Sequence, residues 1–243
     1  MKLIRAILSA GVLDGAVLSI PAEGAPQGGP LSPVLANVVL HRLDRAWQER
    51  YQRLGVLVRY ADDECICCPS RERAEAALAA LAQILAGLGL SLAADKTRIV
   101  CVADGTSGYD FLGFHHRMVP SRRNPKLRYP ACWPSDSAML RARSQIRDRT
   151  GRNRCHVPTH LLVDDLNRFL RGWRGYFRYG NSARRFAKLD HYVTERMALL
   201  ISKRHGRHGR GNGMKHIIMS GNRLGLVALS GNVRYGRPAH AVE

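Results

Sequence analysis

Acidic side chains are scarce in this 243-residue chain, where 19 Asp and Glu stand against 38 Lys and Arg for a formal charge of +19. Such a deficit points to a polyanionic partner, of which nucleic acid is the usual one. Cysteine is sparse too. Cys65, Cys67, Cys68, Cys101, Cys132 and Cys155 show neither paired CxxC spacing nor the density of a disulfide framework. Cys65, Cys67 and Cys68, in a strand-like run, read as small buried hydrophobes, and a reducing cytoplasm fits the set best. Long apolar runs are missing as well. Residues 76–94 carry no charge, but they are rich in Ala and Gly and are interrupted by Gln83 and Ser91. Arg5 and Asp14 break any export signal at the N-terminus. Both segments read as soluble, with no membrane association. No repeat of solenoid or propeller period occurs, and 45% hydrophobic residues exclude global disorder.

The charge that is present is unevenly spread. Residues 1–120 hold 12 basic and 12 acidic side chains, whereas residues 121–243 hold 26 basic and 7 acidic ones. A neutral half joined to a basic half suggests chemistry in one and grip in the other. The first half interleaves β and α patterns. A short helix is expected over 2–13. A Gly/Pro-rich loop follows over 21–33, and then a helix entered at Ser32-Pro33. Strand-like runs at Val56–Tyr60 and Glu64–Cys68 predict a hairpin. A helix capped by Ser70 should run to about Leu88 and stop at Gly89. It buries a stripe of Ala74, Ala77, Leu78, Leu81, Leu85 and Leu88. Two short strands are expected at Ile99–Val102 and Tyr109–Phe114. The basic, proline-containing stretch 121–134 reads as a connector between a first domain (1–120) and a helical second domain (135–243). Amphipathic helices in the latter carry Leu162, Leu166, Leu170, Trp173 and Phe177, then Phe186, Leu189, Val193 and Met197.

Four short motifs carry candidate chemistry. Asp62-Asp63, between the two strand-like runs, can hold Mg²⁺, which favours a few carboxylates plus water and substrate phosphates; Asp also simply favours turns. A bare Asp-Asp recurs at Asp164-Asp165, where it reads as acidic residues in the first turn of a helix. It is the hairpin frame from Arg59 to Asp63 that sets the first pair apart. In Pro26-Gln27-Gly28-Gly29-Pro30, glycines permit close backbone approach to a ligand, and the helix N-terminus that follows favours phosphate; the same composition also serves a plain helix entry. Lys96, read on a strand, can assist a phosphate leaving group or be a solvated lysine. Asp110-Phe111-Leu112-Gly113-Phe114 alone is a plain buried strand.

Taken in order and spacing, the four resemble the later motifs of a group II intron-encoded reverse transcriptase/maturase. Pro26 to Pro33 with Leu35-Ala36-Asn37 is similar to the family's template- and nucleotide-facing palm motif. Tyr60-Ala61-Asp62-Asp63 is similar to its catalytic hairpin. Leu88-Gly89-Leu90 with Lys96-Thr97 is similar to the next palm motif, and Phe111-Leu112-Gly113-Phe114 to the primer-side strand. Leu166 to Trp173 with Tyr176-Phe177 resembles the maturase-specific, thumb-like domain. The resemblance implies an α+β fold, a partial palm with an antiparallel sheet and packed helices followed by a helical thumb/maturase domain. It also implies RNA-directed DNA polymerisation with Mg²⁺ at Asp62 and Asp63 and with Lys96 at pyrophosphate. Pro26, Gln27, Gly28, Gly29 and Tyr60 would face template or nucleotide. Arg174, Arg178, Arg184, Arg185 and Lys188 would contact RNA, while Trp173 and Phe177 read as core. The implied partners are intron RNA, an RNA template with its DNA primer, and deoxynucleoside triphosphates.

The chain departs from the family upstream of the Pro-Gln-Gly motif, where the family has its fingers and a further palm strand. The third catalytic carboxylate lies upstream of the Pro-Gln-Gly motif, and among residues 1–23 only Asp14, in a turn-like Leu13-Asp14-Gly15, offers an aspartate there. Its position is too close to the loop to substitute. The reading is therefore of an enzyme truncated at its N-terminus, completed by a separate fragment or a second copy. The alternative is a non-catalytic RNA-binding splicing factor. No cysteine/histidine pattern of an appended nuclease follows the second domain.

Overall fold

The structure is a computed structural model that describes residues 32–204 and 224–235, Lys2 and Ala6, and the backbone of 12–14 and 17–19. It divides into two compact units, residues 1–99 and 100–243. The expected helix over 2–13 does not reach its end. Val12–Asp14 is a strand (β1) paired antiparallel with Val17–Ser19 (β2), so Asp14 closes a strand opposite Val17 rather than sitting in a turn.

In the first unit, α1 (Ser32–Ala46) starts at the expected Ser-Pro pair and runs on into a π-helical turn, Trp47–Tyr51. The buried Trp47 there donates its indole N–H to the Gly55 carbonyl at 3.0 Å. Strands β3 (Val56–Tyr60) and β4 (Asp63–Cys67) form the expected hairpin. Helix α2 (Arg71–Gly87) is capped by the Ser70 hydroxyl, which accepts from the Arg73 amide, and ends with Gly89 at φ +74°. Period-2 alternation turns Leu57 and Ile66 toward a small core in which Leu40, Leu43 and Trp47 of the first helix meet Ala77, Ala80, Leu81 and Leu85 of the second. Val56, Val58 and Tyr60 on the other hairpin face are exposed.

The second unit begins with an antiparallel sheet of order β5-β6-β7, made of Gly108–Phe111, Phe114–Pro120 and Arg128–Pro134. Three expectations change here. Ile99–Val102 joins no strand: the Asp104 carboxylate accepts from both the amide and the hydroxyl of Thr106, a local turn that outcompetes a ladder. Tyr109–Phe114 is not one strand but a hairpin, because Leu112 and Gly113 adopt φ of +50° and +77° and reverse the chain. The stretch 121–134 is not a bare connector either. Its second half is β7, whose Pro130 and Pro134 are tolerated because it is an edge strand. Helices α3 (Asp136–Arg149), α4 (Thr159–Phe177) and α5 (Ala183–Arg204) then pack around Ile146, Leu166, Leu170, Phe177, Phe186, Leu189 and Met197. Trp173 packs on that core, as its place on the apolar stripe predicts. Asp164 and Asp165 lie past the first turn of α4, and Asp165 instead pairs with Arg154 at 2.6 Å.

Candidate functional site

The β3–β4 hairpin turns on Ala61 and Asp62, with Tyr60 opposite Asp63. Ala61 sits at φ +54°, a left-handed conformation that costs a non-glycine residue about 1–2 kcal/mol. Arg59 holds it there. Its guanidinium forms a two-pronged ion pair with Asp44 of α1, Nε to Oδ1 at 2.8 Å and Nη2 to Oδ2 at 2.5 Å. Its Nη1 donates to Asn37 Oδ1 at 2.9 Å and to the Ala61 carbonyl at 2.7 Å. One side chain thus ties helix α1 to the tip that presents Asp62 and Asp63. The bond from Arg59 holds the Asp44 carboxyl below the ordinary aspartate range. Glu64, the cross-strand partner of Arg59, is pushed upward by burial, against the pull of the guanidinium.

Asp62 and Asp63 are exposed, and neither carboxylate is committed to a hydrogen bond or ion pair among the described residues. Arg59, the nearest cation in sequence, is spent on Asp44, Asn37 and Ala61. Two adjacent hard-oxygen donors with free lone pairs fit the kind of Mg²⁺ site that substrate phosphates complete. Among the described residues no group of three or more His, Cys, Asp or Glu side chains is placed to hold a metal ion. Lys96 is exposed and lies in a turn, not on a strand. The Thr97 hydroxyl and amide both donate to the Ala93 carbonyl and curl the chain there. No hydrogen bond or ion pair among the described residues joins it to the aspartates. Pro26, Gln27, Gly28 and Gly29 lie outside the described residues.

In the second unit the expected RNA-contacting residues separate by environment. Arg184 and Lys188 are exposed on α5. Arg185 is tied to Asp136 at the start of α3, 2.6 Å away. Arg174 and Arg178 are half-buried and line a polar groove of about 440 Å³ together with Arg171 and, from a segment far along the chain, Arg234. Sequence reading missed Arg171, Arg234 and the Arg59–Asp44–Asn37 clamp. For Arg59 a signal existed: alternation puts it on the inward face beside Leu57, where a charge needs a partner. Nothing local announces Arg234.

Comparison with known proteins finds two families in chain order, the first running past residue 99 into the second unit's sheet. Residues 3–116 match the family described as reverse transcriptase (RNA-dependent DNA polymerase), and residues 139–217 match the group II intron maturase-specific domain. Protein YkfC of Escherichia coli (strain K12) is 30% identical over 171 residues, 57% of this chain and 44% of that protein, so the chain spans less than half of the relative's length. No helix among the described residues is long and apolar enough to cross a membrane. With the polymerase match over the hairpin unit and the maturase match over the basic helices, in that order, the chain belongs to the group II intron reverse transcriptase/maturase family.

Proposed function

We propose that the hairpin tip is the nucleotidyl-transfer centre of an RNA-directed DNA polymerase and that the basic unit grips intron RNA and the template–primer. The observation that carries this reading is the pair of uncommitted carboxylates, Asp62 and Asp63, on a turn clamped from below by Arg59. Mg²⁺ bound there would neutralise phosphate charge and acidify the primer hydroxyl. The chain's own residues do the rest. Arg59 fixes the carboxylates in place before substrate arrives, and Lys96 is free to meet the departing pyrophosphate. By the resemblance, Pro26, Gln27, Gly28 and Gly29 face the incoming deoxynucleotide or template, as does Tyr60, whose ring is exposed.

A second reading, RNA binding without polymerisation, is favoured by one observation. Residues 100–243 hold 27 basic against 9 acidic side chains, far more than internal pairing can absorb. A single experiment separates the two. Primer extension on an RNA template with Mg²⁺ is compared between the folded chain and Asp62→Ala/Asp63→Ala, with RNA binding measured in parallel. Extension that vanishes in the variant while RNA binding persists is the expected result. Extension unchanged in the variant would remove the hairpin from the chemistry. Folded wild-type chain that binds RNA and extends nothing would leave the binding reading alone.

A further inference from the structure

The groove on α4 holds a cluster of charge that no carboxylate among the described residues neutralises. Arg171 and Arg174 on α4 and Arg178 at its C-cap follow helical spacing along one face, and Arg234 approaches from the C-terminal segment. That segment is docked by backbone bonds. The Arg234 amide donates to the Arg178 carbonyl at 2.6 Å, and the Gly180 amide donates to the Arg234 carbonyl at 3.1 Å. Gly180 is required at this point: its φ is +79°, and a Cβ there would stand 2.5 Å from the Cys132 sulfur and 2.6 Å from the Cys132 carbonyl oxygen. The resulting bridge sets Tyr179 directly opposite Arg234 in parallel register, so both side chains project from one face.

None of the four arginines forms an ion pair among the described residues, although Arg154 and Arg185 elsewhere in the unit do. Arg174 donates to the Ala228 carbonyl at 3.2 Å, and Arg178 reaches only the Tyr179 hydroxyl at 3.3 Å. Among the described residues the Arg178 Nε–H is buried with no partner, an unmet hydrogen bond that a ligand can relieve. Four like charges around one concavity repel one another as well. An anion answers both costs. The aromatic residues narrow the class of anion. Tyr179 is half exposed and Tyr235 more so, and the Arg178 guanidinium lies 5.3 Å from the Tyr179 ring centroid. A row of guanidiniums in which Arg178 and Arg234 are each followed in the chain by an exposed flat ring suits a strand whose phosphates and unstacked bases are both accessible; a duplex hides its bases.

We infer that the Arg171–Arg174–Arg178–Arg234 groove is a binding site for a single-stranded phosphodiester backbone, with Tyr179 and Tyr235 as stacking platforms for its bases. This deepens the proposed RNA grip and rests on it. It adds the strandedness of the ligand and brings in Arg234 and Tyr235, which lie beyond the matched maturase segment. Single-stranded RNA and single-stranded DNA share the chemistry, and the test separates them.

The experiment measures binding of labelled oligouridine, oligothymidine and an RNA duplex to the full chain across a salt series. Wild type is compared with Arg171→Gln/Arg234→Gln, with Tyr179→Ala/Tyr235→Ala, and with an Arg184→Gln/Lys188→Gln control. Arg171, Arg234, Tyr179 and Tyr235 are all exposed, and melting curves establish that each variant folds. The arginine variant should bind single strands ten-fold or more weakly, with the salt slope reduced by about 1.4 for two lost phosphate contacts. The tyrosine variant should bind single strands about five-fold more weakly or worse with its slope unchanged, since stacking releases no counterions. Duplex binding should fall less than single-strand binding in both. Preference for oligouridine over oligothymidine would assign the groove to RNA, and the reverse to the DNA strand. Wild-type affinity and slope in the arginine variant, with the control weakened, would overturn the groove while leaving the RNA grip standing. Folded wild-type chain that binds no nucleic acid would overturn both.

Discussion

The two units use arginine in opposite ways. In residues 1–99, 11 basic side chains face 10 acidic ones, and Arg59 spends its guanidinium inward on Asp44, Asn37 and the Ala61 carbonyl. In residues 100–243, basic residues outnumber acidic ones three to one, and among the described residues only a few find a carboxylate, as Arg154 does at Asp165. An arginine with an internal partner is a structural clamp that shapes a neighbouring site. An arginine without one is an unmet demand for an anion from outside. Under the proposed function, chemistry lies where charges balance and grip where they do not.

The largest test of this division concerns whether the units are energetically separate. Phe186 is fully buried in the second unit's core, and Phe186→Ala should cost about 3–5 kcal/mol. Calorimetry should show one transition falling while the other stays. A single transition that shifts as a whole would break the picture of two bodies. Next in size is the clamp. Asp44→Ala leaves Arg59, whose side chain is 11% exposed, without its main partner, and should destabilise the first unit by about 2 kcal/mol, less than a fully buried pair because Asp44 is partly solvated. Primer extension should fall with it, and nucleic-acid binding should not; equal loss of both would mean that the clamp serves the whole chain. The smallest effect is a pH dependence. Glu64 has its carboxyl pushed up by burial, so the folded state holds its proton more tightly than the unfolded state. Stability from this group is present at low pH and is lost as pH rises from the ordinary glutamate value through the raised one. Glu64→Gln should flatten that decline in the first unit's melting curve, and an unflattened decline would show that Glu64 is solvated at no cost.

Much of this was legible in the chain. Alternation over Val56–Tyr60 set the hairpin, because a half-buried strand must repeat every two residues. Ser70 and Gly89 bracketed α2 because a cap hydroxyl and a left-handed terminus are local requirements. The stretch 121–134 misled because proline and arginine look like a linker, whereas an edge strand accepts proline wherever no ladder bond is needed. The Tyr109–Phe114 hairpin was hidden because Leu112 occupies a left-handed position that its side chain disfavours. The Tyr176 hydroxyl, 2.9 Å from the Leu112 carbonyl, compensates from 64 residues away.

By itself the sequence determined the family, the aspartate pair and the asymmetry of charge, since motif order and composition do not depend on how the chain closes. Only the tertiary structure decided which arginines are spent and which are left over. Arg59 and Arg178 look alike in sequence, each beside a tyrosine. One meets a carboxylate 15 residues earlier, and the other faces Arg234 across a groove that exists only after the chain has returned. Pairing is a matter of distance in space, and a charge acquires its role from what folding brings within reach of it.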